Sequence, residues 1–281
     1  MKLLKTVVEA REYCLSNQKE GLAIGLVPTM GALHEGHISL VEASRKDNSI
    51  TIASIFVNPI QFNNPSDLEK YPRTLEKDLE MLKEAGCNAV FAPSEQEIYA
   101  SRPIVKMNFG NLENVMEGAF RPGHFSGVGI VVSKLFNIIN PNHAYFGQKD
   151  LQQFLVIQQM VADLSFPITL HACPIKRESD GLAMSSRNKR LSKENRPVAA
   201  KIYQSLLMAE AMLPKEGLAK TKQAVTSFLA QYKELQPEYF EIADGVSLQP
   251  IQDLAAHKKI ALCSAIFLDG VRLIDNLIIE S

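Results

Sequence analysis

A short apolar run, Leu22 to Val27, stops at Pro28-Thr29-Met30-Gly31-Ala32-Leu33-His34-Glu35-Gly36-His37, and a helical stripe of Ile38, Leu40, Val41 and Ala43 follows. A second, nearly continuous apolar run, Ile50 to Val57, comes next. Runs without polar alternation mark strands buried on both faces, as in a parallel sheet. Strand, helix and strand in that order make a right-handed crossover unit, whose ligands bind at the carboxyl ends of the strands. This pattern commits the chain to an α/β fold and puts Pro28 to His37 at its binding edge.

A strand-to-helix turn aims backbone N–H groups and the positive end of a helix dipole at one point, which attracts phosphate. His34 and His37, three apart, can face one phosphate chain together, and Gly31 and Gly36 allow a tight turn and close approach of the backbone to a ligand. A His-x-x-His pair also arises by coincidence on surfaces, or as half of a metal site. No cysteine or third histidine lies near in sequence to complete such a site, so the context favours phosphate.

Composition narrows the partners. The chain has 281 residues, 46% of them hydrophobic, enough for one large domain or two ordinary ones. A formal charge of -1 supplies no global attraction to nucleic acid or to an anionic membrane, so any anion site is local. No apolar run reaches a membrane span, and Met1 to Lys5 lacks the apolar core of a signal peptide, so a cytoplasmic protein is expected. Cys14, Cys87, Cys173 and Cys263 are too widely spaced for a zinc or redox motif and read as reduced thiols, with Cys87 and Cys173, in or beside apolar runs, as small buried residues.

Met1 to Asn17 reads as a helix, and Asn58 and Gln61 follow the second apolar run at the same edge as His34. Pro72 to Gly86 reads as a helix with Leu75, Leu79, Leu82 and Ala85 inward, and Ala89 to Phe91 as a third strand. On that helix Asp78 is expected to be exposed, with an outer contact to the site as the alternative. Gly110 to Val128 has the composition of an ordered loop over a site, where Arg121 and His124 can meet phosphate or merely decorate a turn. A helix over Gly127 to Ile139, a strand over Asn142 to Phe146 and the junction Gly147-Gln148-Lys149-Asp150 come next. Asp150 fits the N-cap of a helix ending near Leu164, Lys149 can neutralise phosphoryl charge, and Gln152 or Gln153 should point to the strand ends. After a fifth strand, Pro167 to Ile175, the run Lys176 to Asn188 has no apolar periodicity and offers Ser185, Ser186 and Arg187 as a second phosphate loop. From Ser192 two amphipathic helices precede three strands, Tyr239 to Ala243, Ile260 to Leu268 and Arg272 to Ile278. The expected organisation is a Rossmann-like parallel-sheet domain over residues 1–176 and a smaller α+β domain over 177–281, closing over the ligand.

Taken together, Pro28 to His37, Phe56 to Phe62, Glu117 to Val128, Gly147 to Gln153 and Met184 to Asn188 resemble the motif set of the pantothenate synthetases, or pantoate–β-alanine ligases. His34-Glu35-Gly36-His37 matches the His-x-Gly-His element of the wider nucleotidylyl-transferase superfamily. Met184-Ser185-Ser186-Arg187 resembles its Lys-Met-Ser-Lys-Ser-like loop.

The resemblance implies an AMP-forming ligase that joins pantoate to β-alanine through a pantoyl adenylate, with ATP as substrate and magnesium arriving with it. It implies that His34 and His37 contact the phosphates, with His37 as proton donor, and that Lys149 is catalytic. It assigns nucleotide binding to Met30, Gly31, Ala32, Leu33, His34, Glu35, Gly36 and His37, to Gly147, Gln148, Lys149 and Asp150, and to Ile175, Met184, Ser185, Ser186 and Arg187. Gln61 and Gln153 would bind pantoate, and Gln61 would border β-alanine. No residue is assigned as a direct metal ligand, and a homodimer is implied. The alternatives are a true nucleotidylyl transferase, which keeps AMP on its product, and an inactive nucleotide-binding module.

Overall fold

The computed structural model describes residues 1–280, and two sheets organise it. The first contains six parallel strands in the order β1 (Lys2–Leu4), β4 (Ala89–Phe91), β3 (Ile50–Ile55), β2 (Ile24–Thr29), β5 (His143–Gly147) and β6 (Thr169–Cys173). Helices α1 (Val7–Lys19), α2 (Glu35–Asp47), α3 (Pro65–Glu69), α4 (Leu75–Glu84), α5 (Glu95–Ile98), α6 (Met116–Phe120), α7 (His124–Ile139) and α8 (Leu151–Asp163) connect them. Then α9 (Ala200–Leu229) leads into an antiparallel sheet of β7 (Gln236–Asp244), β8 (Lys259–Leu268) and β9 (Val271–Glu280).

Strand order reverses between β2 and β5: the chain runs outward through β3 and β4, then returns to build β5 and β6 on the other side. Such a reversal opens a crevice at the carboxyl ends of the two central strands. The turns after β2 and β5 carry the histidine pair and Lys149, so topology alone brings together residues more than a hundred positions apart.

Several expectations need correction. Met1 to Asn17 is a strand followed by a helix: Lys2–Leu4 pairs with β4, and α1 starts behind a capping box in which Thr6 and Glu9 satisfy each other's backbone N–H. A three-residue strand is too short to show an alternation, which is why it reads as part of the helix. The stretch from Gly110 to Val128 is largely helical, with a 3-10 turn over Gly110–Glu113, then α6, and α7 already begun at His124. Asp150 stands at the start of α8 without a side-chain capping bond, because a 3-10 turn over Gln148–Asp150 leads straight into the helix. The two helices expected after Ser192 are contained in α9, which is broken at Gly217, where φ is 75°.

The antiparallel sheet is covered on both faces. Ile242, Leu262 and Ile266 join Ile202, Leu206 and Leu229 of α9, whereas the alternate residues Ala243, Ala261 and Cys263 enter the core around the parallel sheet. This two-sided burial explains why β8 is apolar almost throughout.

Candidate active site

Fourteen of the residues assigned above line one cleft at the reversal point. Met30, His34, Gly36 and His37 form its floor beyond β2, and Gly147, Lys149 and Asp150 its wall beyond β5. Gln61 and Gln153 line the same cleft, together with Ile175 and Met184, Ser185, Ser186 and Arg187 from the chain after β6.

Five assigned residues lie elsewhere. Gly31 has φ 78° and turns the chain; Ala32 and Leu33, both buried, direct their N–H groups at Asp78. Glu35 is exposed on α2, and Gln148 faces Asn276 of β9.

The two histidines are set by their own backbone. His34 is the N-cap of α2: its Nδ1 accepts the Gly36 N–H at 3.1 Å, and His37 Nδ1 accepts the His34 N–H at 3.3 Å. A neutral imidazole that accepts at Nδ1 carries its proton on Nε2. The rings lie 4.1 Å apart, centroid to centroid, so two Nε2–H donors stand side by side at a helix N-terminus. Burial, reinforced by Lys149 and Lys189, pushes His34 down to about 4; burial, His34 and Lys149 push His37 down to about 3. Both are neutral donors at pH 7, suited to phosphate oxygen, and a bound polyanion would raise both values.

Gln61 is oriented by a buried amide chain. Asn58 donates from Nδ2 to Gln61 Oε1 at 2.9 Å and to the Gly127 carbonyl at 3.1 Å, and accepts the Tyr99 hydroxyl at 2.8 Å. Asn58 is thus a support for Gln61, and Gln61 keeps Nε2 as a donor beside Met30 Sδ at 3.2 Å. His124 donates from Nδ1 to the Gln61 carbonyl at 2.9 Å, while Arg121 bonds its Nε2 at 3.2 Å. Burial and Arg121 push His124 down to about 4. Of the two glutamines on α8, Gln153 reaches the cleft. Gln152 turns away, donating to the carbonyls of Leu112 and Val115 and accepting the Glu117 N–H.

Lys149 Nζ lies 3.9 Å from Asp150, whose side chain is half exposed, so this pair holds the ammonium loosely. Across the cleft the Ser185 hydroxyl accepts the Arg187 N–H at 3.2 Å, and Arg187 reaches Asp67 of α3 at 3.7 Å.

Asp78 corrects the sequence reading most sharply. It is 1% exposed, and its carboxylate accepts the N–H groups of Ala32 and Leu33 at 2.9 and 2.8 Å and the Thr74 hydroxyl. It underpins the turn that carries the histidines.

The buried neutral rings make stability depend on pH. Their folded values lie below the ordinary 6.5, so their contribution is complete above that pH and is lost as pH falls toward about 3 for His37 and about 4 for His124. We expect His37 and His124 each to lose about 2 kcal/mol of stability between pH 7 and pH 5, before carboxylates titrate. Urea midpoints at the two pH values measure this; equal midpoints would refute it.

The cleft lies at a strand-order reversal and gathers imidazole donors, an ammonium and a hydroxyl- and guanidinium-bearing loop, a set suited to a polyphosphate. These features are those of the class of nucleotide-binding α/β enzymes with a doubly wound parallel sheet. Within it, the family model of pantoate-beta-alanine ligase matches residues 2–278, and the chain belongs to that family. It is 49% identical over 278 residues to a pantothenate synthetase of Cytophaga hutchinsonii, covering 98% of each chain. To that of Moorella thermoacetica it is 45% identical, covering 100% of this chain and 99% of the relative. The crystal structure of pantothenate synthetase from Thermus thermophilus superposes with a TM-score of 0.91 at 40% identity, covering 99% of both chains. The pantoate-beta-alanine ligase of Francisella tularensis, complexed with beta-gamma ATP and beta-alanine, gives 0.80 at 36% identity, covering 99% of this chain and 97% of that one.

Proposed function

We propose that this enzyme joins pantoate to β-alanine in two steps within the one cleft. Pantoate's carboxylate oxygen attacks the α-phosphorus of ATP and pyrophosphate leaves. The β-alanine amine then attacks the acyl carbon of the adenylate, AMP leaves, and the nitrogen loses a proton to give pantothenate. Activation is needed because a free carboxylate does not react with an amine, and the protein's part is positioning and charge stabilisation.

The observation that carries this reading is the convergence of His34, His37, Lys149 and Ser185 to Arg187 on one cleft that is also lined by the neutral amides Gln61 and Gln153. The imidazole Nε2–H groups, the ammonium and the Ser-Ser-Arg loop suit a phosphate chain that gains negative charge as it departs. Gln61 and Gln153 suit pantoate: an amide binds carboxylate and hydroxyl without the tight cation that would blunt a nucleophile. Met30, Gly36, Gly147, Asp150, Ile175 and Met184 complete the nucleotide's walls. Asp150 is the carboxylate in the lining, and among the described residues no three His, Cys, Asp or Glu converge, so magnesium would be held chiefly by ATP's own phosphates with Asp150 near. The division into residues 1–176 and 177–281 follows the change from parallel to antiparallel sheet. Family resemblance further supports a cytoplasmic homodimer with no partners beyond its three substrates.

The test is exchange of labelled pyrophosphate into ATP with magnesium and pantoate present and β-alanine absent. Pantoate-dependent exchange, followed by AMP release on adding β-alanine, is the expected result. ATP binding without exchange would overturn the reading.

A further inference from the structure

Asp275 and Asn276, adjacent on β9 and each 3% exposed, tie the two halves of the phosphate site together. Asn276 donates from Nδ2 to the main-chain carbonyls of Gln148 at 3.0 Å and Lys149 at 2.9 Å, and its Oδ1 accepts from Gln148 Nε2 at 3.3 Å. Asp275 grips Arg177 through two bonds of 2.6 and 3.0 Å. Arg177 donates in turn to the Gly181 carbonyl at 3.0 Å and lies 3.7 Å from the centre of the Tyr203 ring. Arg177 pairs with Ala183 at the base of the short hairpin that runs straight into Met184 to Arg187. Asp275 also accepts the main-chain N–H of Asn276 at 2.8 Å, which fixes its carboxylate against the strand that carries both residues.

We infer that Asp275-Asn276 is a positioning pair for the first half-reaction, setting the spacing between the Lys149 ammonium and the Ser185 to Arg187 loop. The inference rests on the cleft reading above. Lys149 emerges from the end of β5, whereas the hairpin follows β6. A stray shift of either loop by an ångström would stop them meeting the same phosphate chain, and such misplacement costs rate more than binding. The pair bonds backbone, Arg177 and the Gln148 side chain, and it sits on a strand whose sheet shares its core with the parallel domain. Its part is therefore to position other groups.

The experiment is steady-state pyrophosphate exchange with Asn276→Ala and Asp275→Asn, each rate expressed per folded molecule. Asn276→Ala should lower kcat about 20-fold and raise the KM for ATP several-fold. The KM for pantoate should stay within about twofold, because Gln61 is held by Asn58, which β9 does not touch. Asp275→Asn, an isosteric change that weakens the grip on Arg177, should show the same pattern at smaller amplitude. Because Asn276 acts through Lys149, adding Asn276→Ala to Lys149→Ala should cost less than about threefold more. Unchanged kinetic constants with a merely lowered melting temperature would overturn the inference, as would a fully additive double variant. Should Asn276→Ala not fold, near-normal kinetics in Asp275→Asn would overturn it alone. A near-normal rate in Lys149→Ala by itself would instead undo the site reading.

Discussion

Lys149→Ala should reduce pantoate-dependent pyrophosphate exchange about 1000-fold while leaving the fold intact. The lysine side chain is 17% exposed and contributes little to stability, because its 3.9 Å pair with a half-exposed Asp150 is worth well under about 1 kcal/mol. Its position is what counts: it stands across the strand reversal from His34 and His37, on the wall of the cleft in which the proposed reaction would build charge on the departing pyrophosphate. A single well-placed donor to such charge is worth about 10²–10³ in rate, and a full cation more. A neutral imidazole N–H is a weaker partner for developing charge than an ammonium, so the histidines replace the lysine poorly. The loss should fall on kcat, with the KM for pantoate little changed and a urea midpoint equal to that of the parent protein. Exchange within tenfold of the parent would show that the ammonium is not aimed at the transferring group.

The parts of this site that can be read from sequence are those where chemistry and periodicity coincide locally. Two buried strands bracketing a Gly- and His-containing turn announce a parallel sheet and its binding edge, and Gly147 to Asp150 and Met184 to Arg187 interrupt apolar patterns at the right places. The supports escape for two different physical reasons. Some are joined only in space: Arg177 finds Asp275 and Gln148 finds Asn276 about a hundred residues along the chain, and no periodicity encodes such a meeting. Others leave a signal that reads two ways. Asp78 stands at helical spacing from Leu79 and Leu82, where it can be a buried acceptor, yet an acid on a helix reads first as exposed. Gln152, equally buried, lies next to Gln153 on a helix whose every side is largely apolar, and only the fold decides which of the two meets the cleft. Local pattern locates the groups that line the cleft, then, while the groups that hold them in place depend on packing.

Asp78→Ala should cost about 3–5 kcal/mol of stability and lower exchange about 100-fold, although Asp78 touches no cleft surface. Two backbone N–H groups, those of Ala32 and Leu33, are buried beneath the turn and bonded to the one carboxylate. Removing it strands both, at about 1–3 kcal/mol each, more than the helix gains from alanine. The turn it anchors is strained, with Gly31 at φ 78° and Ala32 at φ 51°, a left-handed conformation that a non-glycine residue keeps only when its surroundings insist. A Cβ on Gly31 would come within 3.0 Å of the same carboxylate oxygen, which shows how closely the turn is moulded on it. Once released, the turn can relax toward a commoner conformation. His34 caps α2 two residues further on, so relaxation swings both Nε2–H donors off the phosphate position. Asp78→Asn separates the two effects: its amide oxygen still accepts one N–H, but its NH₂ faces the other, so it should fall between parent and alanine in both stability and rate. Loss of stability with an unchanged exchange rate per folded molecule would make Asp78 a structural anchor alone. Parallel loss of both would establish that the histidine pair is aimed by an acid forty residues away on another helix.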